Sequence, residues 1–177
     1  GRERPLLSPL LFGGGQERNL RPGTQNVPGI VGFGCACQLA SSHLEDDVKR
    51  ISALRTICEQ TLVRGIPGAR INAKLAPRLS GTISLTIPGI PADMLIANLP
   101  TVCIGDGSAC NSGAPEPSHV LLAMNLSRSD AECTVRISLG RYTTETDLRA
   151  ANDEITAVSR KLLARLGTQD AVVGSAG

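Results

Sequence analysis

The chain is organised around one stretch, Gly105-Asp106-Gly107-Ser108-Ala109-Cys110-Asn111-Ser112-Gly113-Ala114-Pro115-Glu116-Pro117-Ser118. A β-rich run at residues 101–104 precedes it, and an apolar helical run at 117–126 follows it. Glycine admits backbone conformations that other residues avoid, and proline removes an amide donor, so neither favours a packed element here. We therefore predict a mobile, solvent-reachable loop over residues 105–116. Its single thiol, Cys110, is a candidate nucleophile, because thiol reactivity requires exposure and a route to the thiolate.

The composition indicates one soluble domain. A chain of 177 residues can bury a core, which must be aliphatic because only 2% of the residues are aromatic. The net charge of +2 is too small to indicate a nucleic-acid partner. The sequence shows neither a signal peptide nor an apolar run near the roughly 18 residues that cross a bilayer. Six cysteines in a chain of this length favour reduced thiols over a disulfide framework. We expect a cytoplasmic protein with no membrane contact and no direct nucleic-acid contact.

Hydrophobic periodicity predicts an α+β fold in which helices pack on a small, mostly antiparallel sheet. The predicted helices cover residues 25–42, 43–64, 91–98, 117–125 and 144–166, with a turn at 129–132. The predicted strands cover residues 69–73, 81–87, 101–104 and 133–139. Thr144, followed by Glu145 and Asp147, matches the cap and first-turn charge pattern of a helix start.

A glycine-rich segment runs from Gly13-Gly14-Gly15 through Arg21-Pro22-Gly23 to Thr24. Backbone amides and the positive end of a helix dipole attract anions, so the segment is a candidate phosphate site with Thr24 at or near the helix cap. The alternative is an ordinary turn with a capping threonine. The spacing alone leaves both interpretations open, because the segment is not a Walker A motif.

Metal binding is a weaker interpretation of the cysteines. A structural zinc site would have to combine Cys103, Cys110, His119 and Cys133, yet the chain has no Cys-x₂-Cys knuckle. Cys35 and Cys37 are two positions apart in a predicted helix, where their side chains point in different directions. We predict no metal site, and we expect Cys35 and Cys37 to be buried as small apolar side chains.

Three motifs together resemble the group I cysteine desulfurases, pyridoxal-phosphate enzymes of the fold-type I aminotransferase class V family. The first is Gly13-Gly14-Gly15-Gln16-Glu17-Arg18 with Arg21-Pro22-Gly23-Thr24. The second is Ser108-Ala109-Cys110-Asn111-Ser112 with Glu116-Pro117-Ser118-His119-Val120-Leu121. The third is Val135-Arg136-Ile137-Ser138-Leu139-Gly140-Arg141-Tyr142-Thr143-Thr144. Their order and spacing match the family over nearly the whole chain from residue 13.

The resemblance implies a role for one residue of each motif. Cys110 would attack the sulfur of L-cysteine and become a persulfide as L-alanine leaves. Arg136 would bind the substrate α-carboxylate, and Thr24 would hydrogen-bond the cofactor phosphate of the other protomer, which implies a homodimer. Without the family, Arg136 could equally be a surface strand arginine and Thr24 a plain cap. A sulfur-acceptor protein is implied as partner, but the sequence does not choose among iron–sulfur assembly, tRNA thiolation and DNA phosphorothioation.

The resemblance also implies that part of the enzyme is missing from this chain. The family's Schiff-base lysine lies upstream of the Gly-Gly-Gly block, and Lys49, Lys74 and Lys161 do not match its motif. We therefore expect residues 1–24 to end a large cofactor-binding domain, 25–166 to form the small C-terminal domain, and 167–177 to be a flexible tail. Such a chain would be inactive alone. The alternative is a non-catalytic relay or interaction module that accepts a persulfide on Cys110.

Overall fold

The structure, a computed structural model, describes residues 7–106 and 117–173, with side chains through residue 167. The chain divides into two units, residues 1–44 and 45–177. This partition differs from the predicted domain boundaries, which remain a prediction. No helix in the described residues is long and apolar enough to cross a membrane.

The first unit contains a short 3-10 turn, Gln16–Asn19, and the beginning of a long helix, α1 (Val27–Gly65). The sequence predicted two helices here, but α1 is continuous because residues 35–64 contain no glycine or proline to interrupt it. Residues 26–46 are exposed throughout. The expected burial of Cys35 and Cys37 is therefore wrong: both thiols are exposed, because burial depends on a packing partner and not on helical spacing.

The second unit is built on a three-stranded antiparallel sheet in the order β1 (Arg70–Ile71), β2 (Thr82–Thr86) and β3 (Thr134–Ser138). Four further helices follow along the described chain: α2 (Ala92–Ala97), α3 (His119–Ala123), α4 (Arg128–Glu132) and α5 (Glu145–Val173). The predicted α+β architecture is confirmed. The predicted strand at 101–104 is wrong, since only Gly105 pairs there, in an isolated bridge. Helix α5 continues seven residues past the predicted end at 166, to Val173.

The two faces of the sheet differ in character. Ile83, Leu85, Val135 and Ile137 point into an aliphatic core, which also contains side chains of α1 and α5 such as Leu62 and Ile155. The alternate positions of β2 and β3 carry polar residues: Thr82, Ser84 and Thr86 opposite Ser138, Arg136 and Thr134. This period-2 alternation places one face on the core and leaves the other for a site.

Helix α5 begins with the predicted cap. The Asp147 amide donates to Thr144 Oγ1 over 3.1 Å, and the Thr144 amide donates to Asp147 Oδ2 over 3.1 Å. This reciprocal pair satisfies two amides at the helix start, as in a capping box.

Cys58 of α1 gives the fold a pH dependence. Its side chain is only 1% exposed, and its Sγ lies 3.0 Å from Asn152 Oδ1 of α5. Burial, with a smaller contribution from the Glu59 charge, raises the pKa of Cys58 to about 12. The folded thiol therefore keeps its proton at pH values where the unfolded thiol, with a pKa near 8.5, has lost it.

We expect the free energy of unfolding of wild type to fall between about pH 9 and 12, because the unfolded chain binds fewer protons there. Cys58→Ala should be less stable at pH 7, since it removes a buried side chain, but its stability should fall less steeply above pH 9. Denaturant unfolding under reducing conditions at several pH values measures both slopes. If the free energy of unfolding fell equally steeply with pH in both proteins, Cys58 would not be the cause of the pH dependence.

Candidate functional site

Arg136 occupies the middle of β3 on the polar face of the sheet, and its side chain is exposed. Ser84 of β2 lies directly opposite it in the antiparallel register. Within residues 7–106 and 117–167, the guanidinium of Arg136 takes part in no ion pair. An exposed guanidinium that pairs with no carboxylate of the described residues is suited to bind an external anion.

The backbone of Arg136 is held by the segment that leads into the Cys110 loop. The Gly105 amide donates to the Arg136 carbonyl over 3.0 Å, and the Arg136 amide donates back to the Gly105 carbonyl over 2.6 Å. These two bonds form the bridge that replaces the predicted strand at 101–104. The start of the loop is thereby held beside Arg136.

A cavity of about 480 Å³ opens at this point of the polar face. Arg136 and Ser84 line it, together with Asp106 and Ser118, which flank residues 107–117. Apolar side chains from α3 and from the segment before β2 complete the wall: Leu79, Val120 and Leu121. Both ends of the predicted loop therefore border the cavity that contains the arginine. Cys110 itself lies outside the described residues.

Arg78 ties the segment between β1 and β2 to α1. Its Nη1 and Nη2 lie 2.7 and 3.2 Å from the two carboxylate oxygens of Glu59, whose residue is 6% exposed. Arg55 Nε lies 3.7 Å from the same carboxylate. This part-buried ion pair holds in place the segment that forms one wall of the cavity.

Thr24 lies in the first unit, two residues before Asn26. The cap of α1 is Asn26, whose Oδ1 accepts a hydrogen bond of 3.1 Å from the Gly29 amide. Thr24 therefore does not cap α1, and among the described residues its hydroxyl has no hydrogen-bond partner. Arg21 Nη1 donates instead to the carbonyls of Gly23 and Thr24. Thr24 is exposed, so an anion can approach it from solvent.

Among the described residues, no three His, Cys, Asp or Glu side chains lie close enough to hold a metal ion. Cys133 is buried, whereas Cys103 is exposed. Burial raises the pKa of the Cys133 thiol, which disfavours the thiolate that a metal would need.

Sequence reasoning identified Arg136 but missed the residues around it. Ser84, Asp106 and Ser118 border the same cavity as Arg136. The alternation of polar and apolar residues along β2 was visible in the sequence. The pairing of Ser84 with Arg136, however, depends on a strand register that no local pattern gives.

This fold is that of a fragment of the NifS-like fold-type I enzymes. A solved NifS-like protein superimposes with a TM-score of 0.75 at 34% identity, covering 89% of this chain and 40% of that one. The sequence profile described as aminotransferase class-V matches residues 7–150, and the chain belongs to that family. A cysteine desulfurase of Nostoc sp. is 41% identical over 160 residues, which are 89% of this chain and 39% of the relative. A solved structure titled "SspA in complex with cysteine" is 34% identical, with a TM-score of 0.53, over 78% of this chain and 37% of that one. The chain thus spans about two fifths of the length of these relatives.

Enzymes of this family use pyridoxal phosphate. In the first unit the exposed Thr24 hydroxyl is a donor of the kind that suits a phosphate, and in the second unit the exposed Arg136 guanidinium is a donor of the kind that suits a carboxylate. Lys49, Lys74 and Lys161 are exposed, and none of them lines the Arg136 cavity.

Proposed function

We propose that this chain is part of a cysteine desulfurase, which removes sulfur from L-cysteine to give L-alanine and a persulfide on Cys110. The observation that carries the proposal is the shared cavity: Arg136 and both ends of the Cys110 loop border it. Membership of the aminotransferase class-V family and the similarity to cysteine desulfurases support it.

Arg136 binds the α-carboxylate of the substrate. Its fork of N–H donors is permanently charged and matches the two oxygens of a carboxylate. The bridge to Gly105 fixes its backbone, so that binding does not have to order it. The substrate is then oriented with its β-sulfur toward the loop that carries the thiol.

Cys110 is the nucleophile. It follows the anchored Gly105 by five residues, and an extended chain spans about 3.3–3.6 Å per residue, so its thiol has a reach of roughly 17 Å. The Cys110 thiolate forms a bond to the substrate sulfur while the bond between that sulfur and Cβ breaks. The electron pair of the broken bond stays on the carbon skeleton, which takes up a proton and leaves as alanine. The reach then allows the persulfide to be presented to an acceptor outside the cavity.

Pyridoxal phosphate, when bound, withdraws electrons from the substrate carbons so that the carbon–sulfur bond can break. Thr24 would hold its phosphate in the other protomer of a homodimer. We propose that the Schiff-base lysine belongs to an upstream half that this chain does not contain. The complete protein acts in the cytoplasm and passes sulfur to an acceptor protein of iron–sulfur assembly, tRNA thiolation or DNA phosphorothioation.

Alanine formation tests the proposal. The chain is incubated with L-cysteine and pyridoxal phosphate, alone and together with the upstream half, and L-alanine is quantified. We expect alanine only when both halves are present. Association of the halves without alanine would leave a relay or interaction module and would overturn the proposal.

The Arg136→Ala variant should raise the KM for L-cysteine at least tenfold in the reassembled enzyme, since it removes a charge-assisted bond to the carboxylate. Its melting temperature should change little, because the side chain is exposed. Arg128→Ala is the matched control: Arg128 is also exposed and forms a surface ion pair with Glu132. Equal KM values for the two variants would remove Arg136 from the site.

A further inference from the structure

A chain of hydrogen bonds at the Arg136 cavity fixes the direction of one hydroxyl. Thr134 Oγ1 donates to the Asp130 carbonyl over 2.6 Å, and a carbonyl can only accept. The hydroxyl proton of Thr134 is therefore already donated to this carbonyl. In the 2.7 Å contact between Thr86 Oγ1 and Thr134 Oγ1, Thr86 must be the donor.

The amide of Asn72 is oriented by the same reasoning. The Thr86 hydroxyl donates its only proton to Thr134, so it accepts the hydrogen bond from Asn72 Nδ2 at 2.8 Å. Thr86 Oγ1 also lies 3.2 Å from Asn72 Oδ1, but its proton goes to the closer Thr134 oxygen. Asn72 is 8% exposed, and its Nδ2 lies 3.1 Å from Ser84 Oγ. An amide nitrogen only donates, so Ser84 accepts.

This accepted bond leaves the Ser84 proton available. Within the described residues, no hydrogen bond uses the Ser84 hydroxyl as a donor. Ser84 lines the cavity and is paired across the sheet with Arg136, on the same face. Directly opposite residues have Cβ atoms about 5 Å apart, within reach of the two oxygens of one carboxylate. Arg136 and Ser84 thus present adjacent donors to the cavity.

We propose that Ser84 is a second binding residue for the substrate carboxylate, and that Asn72 is the residue that positions it. This inference rests on the proposed function. Arg136 supplies the charge, and Ser84 donates to one carboxylate oxygen. The polar chain from Asn72 to the Asp130 carbonyl keeps the Ser84 proton directed into the cavity. Asn72 and Thr134 are buried and themselves line the cavity, and Thr86 is buried between them in the chain of hydrogen bonds.

The test measures carboxylate binding directly, without turnover. The Arg136 Nε–H resonance of ¹⁵N-arginine-labelled chain, assigned with Arg136→Ala, is followed during titration with L-cysteine, L-alanine or cysteamine. We expect both amino acids to shift it saturably and cysteamine, which lacks the carboxylate, to leave it in place. Ser84→Ala should raise the Kd for both amino acids about tenfold, the loss of one hydrogen bond to a charged group. Ser84→Thr, which keeps a hydroxyl, should stay within about threefold of wild type.

Ser138→Ala is the matched control. Ser138 lies on the same face of β3, two residues from Arg136, but does not line the cavity. The Kd of the Ser138→Ala variant for both amino acids should equal that of wild type. Equal Kd values for wild type and Ser84→Ala, or a wild-type resonance that no amino acid shifts, would overturn the proposal for Ser84. The proposed function would be overturned separately, by the absence of alanine from the reassembled enzyme.

Discussion

Replacing Cys110 with alanine is expected to abolish desulfuration, reducing alanine formation by the reassembled enzyme more than about 1,000-fold, as removal of a nucleophile does. Cofactor and substrate binding should survive, because Arg136 and Thr24 are unchanged. The thermal stability of the chain should also survive, since the sequence places Cys110 on a loop where its thiol packs little. Alanine assays and thermal unfolding of the same preparation measure both effects.

Cys103→Ala provides the matched control for that experiment. Cys103 is an exposed thiol seven residues before Cys110, so it tests whether any nearby cysteine suffices. It should retain activity close to wild type. A large fall in the melting temperature of Cys110→Ala would instead make Cys110 a structural residue, and retained alanine formation would exclude it as the nucleophile.

Glu59→Gln is expected to have the largest effect on stability, lowering the free energy of unfolding by about 3 kcal/mol, the cost of breaking a buried ion pair by removing one charge. Glu59 is 6% exposed and faces the forked guanidinium of Arg78, with Arg55 beside it. Neutralising the carboxylate leaves both arginines short of their counterion. Urea unfolding measures the change.

Glu132→Gln is the matched control, because Glu132 pairs with Arg128 at 3.0 Å on an exposed helix surface. Such a pair contributes about 0.5 kcal/mol or less. We therefore expect Glu59→Gln to lower the free energy of unfolding clearly more than Glu132→Gln does. Equal effects would mean that the Glu59–Arg78 pair contributes no more than a surface contact. The tenfold rise in the Kd for amino acids that we expect for Ser84→Ala tests another residue of the cavity that Arg78 lines.

The sequence was informative wherever local chemistry decides the structure. The alternation of β2, the Thr144 cap of α5 and the strand around Arg136 all appear in the structure near their predicted positions. The α+β class could also be predicted, because hydrophobic residues recur with different periods in helices and in strands. Local rules did not name Arg136 as the candidate carboxylate-binding residue; the resemblance of its strand to the family motif did.

The predictions failed where long-range packing decides the structure. Cys35 and Cys37 were expected in a core, yet burial depends on what packs against a helix and not on its own spacing. Residues 101–104 have strand-like composition, but only Gly105 finds a pairing partner. The directed hydroxyl of Ser84 could not be foreseen, because it depends on Asn72 and Thr134, which are distant in sequence.

The most direct test of the account is peptide mass analysis of Cys110 after reaction with L-cysteine and pyridoxal phosphate. It is made on this chain alone and again with the upstream half supplied. We expect one added sulfur on the Cys110 peptide only in the second sample. An unmodified Cys110 in both samples, with the two halves shown to associate, would contradict it.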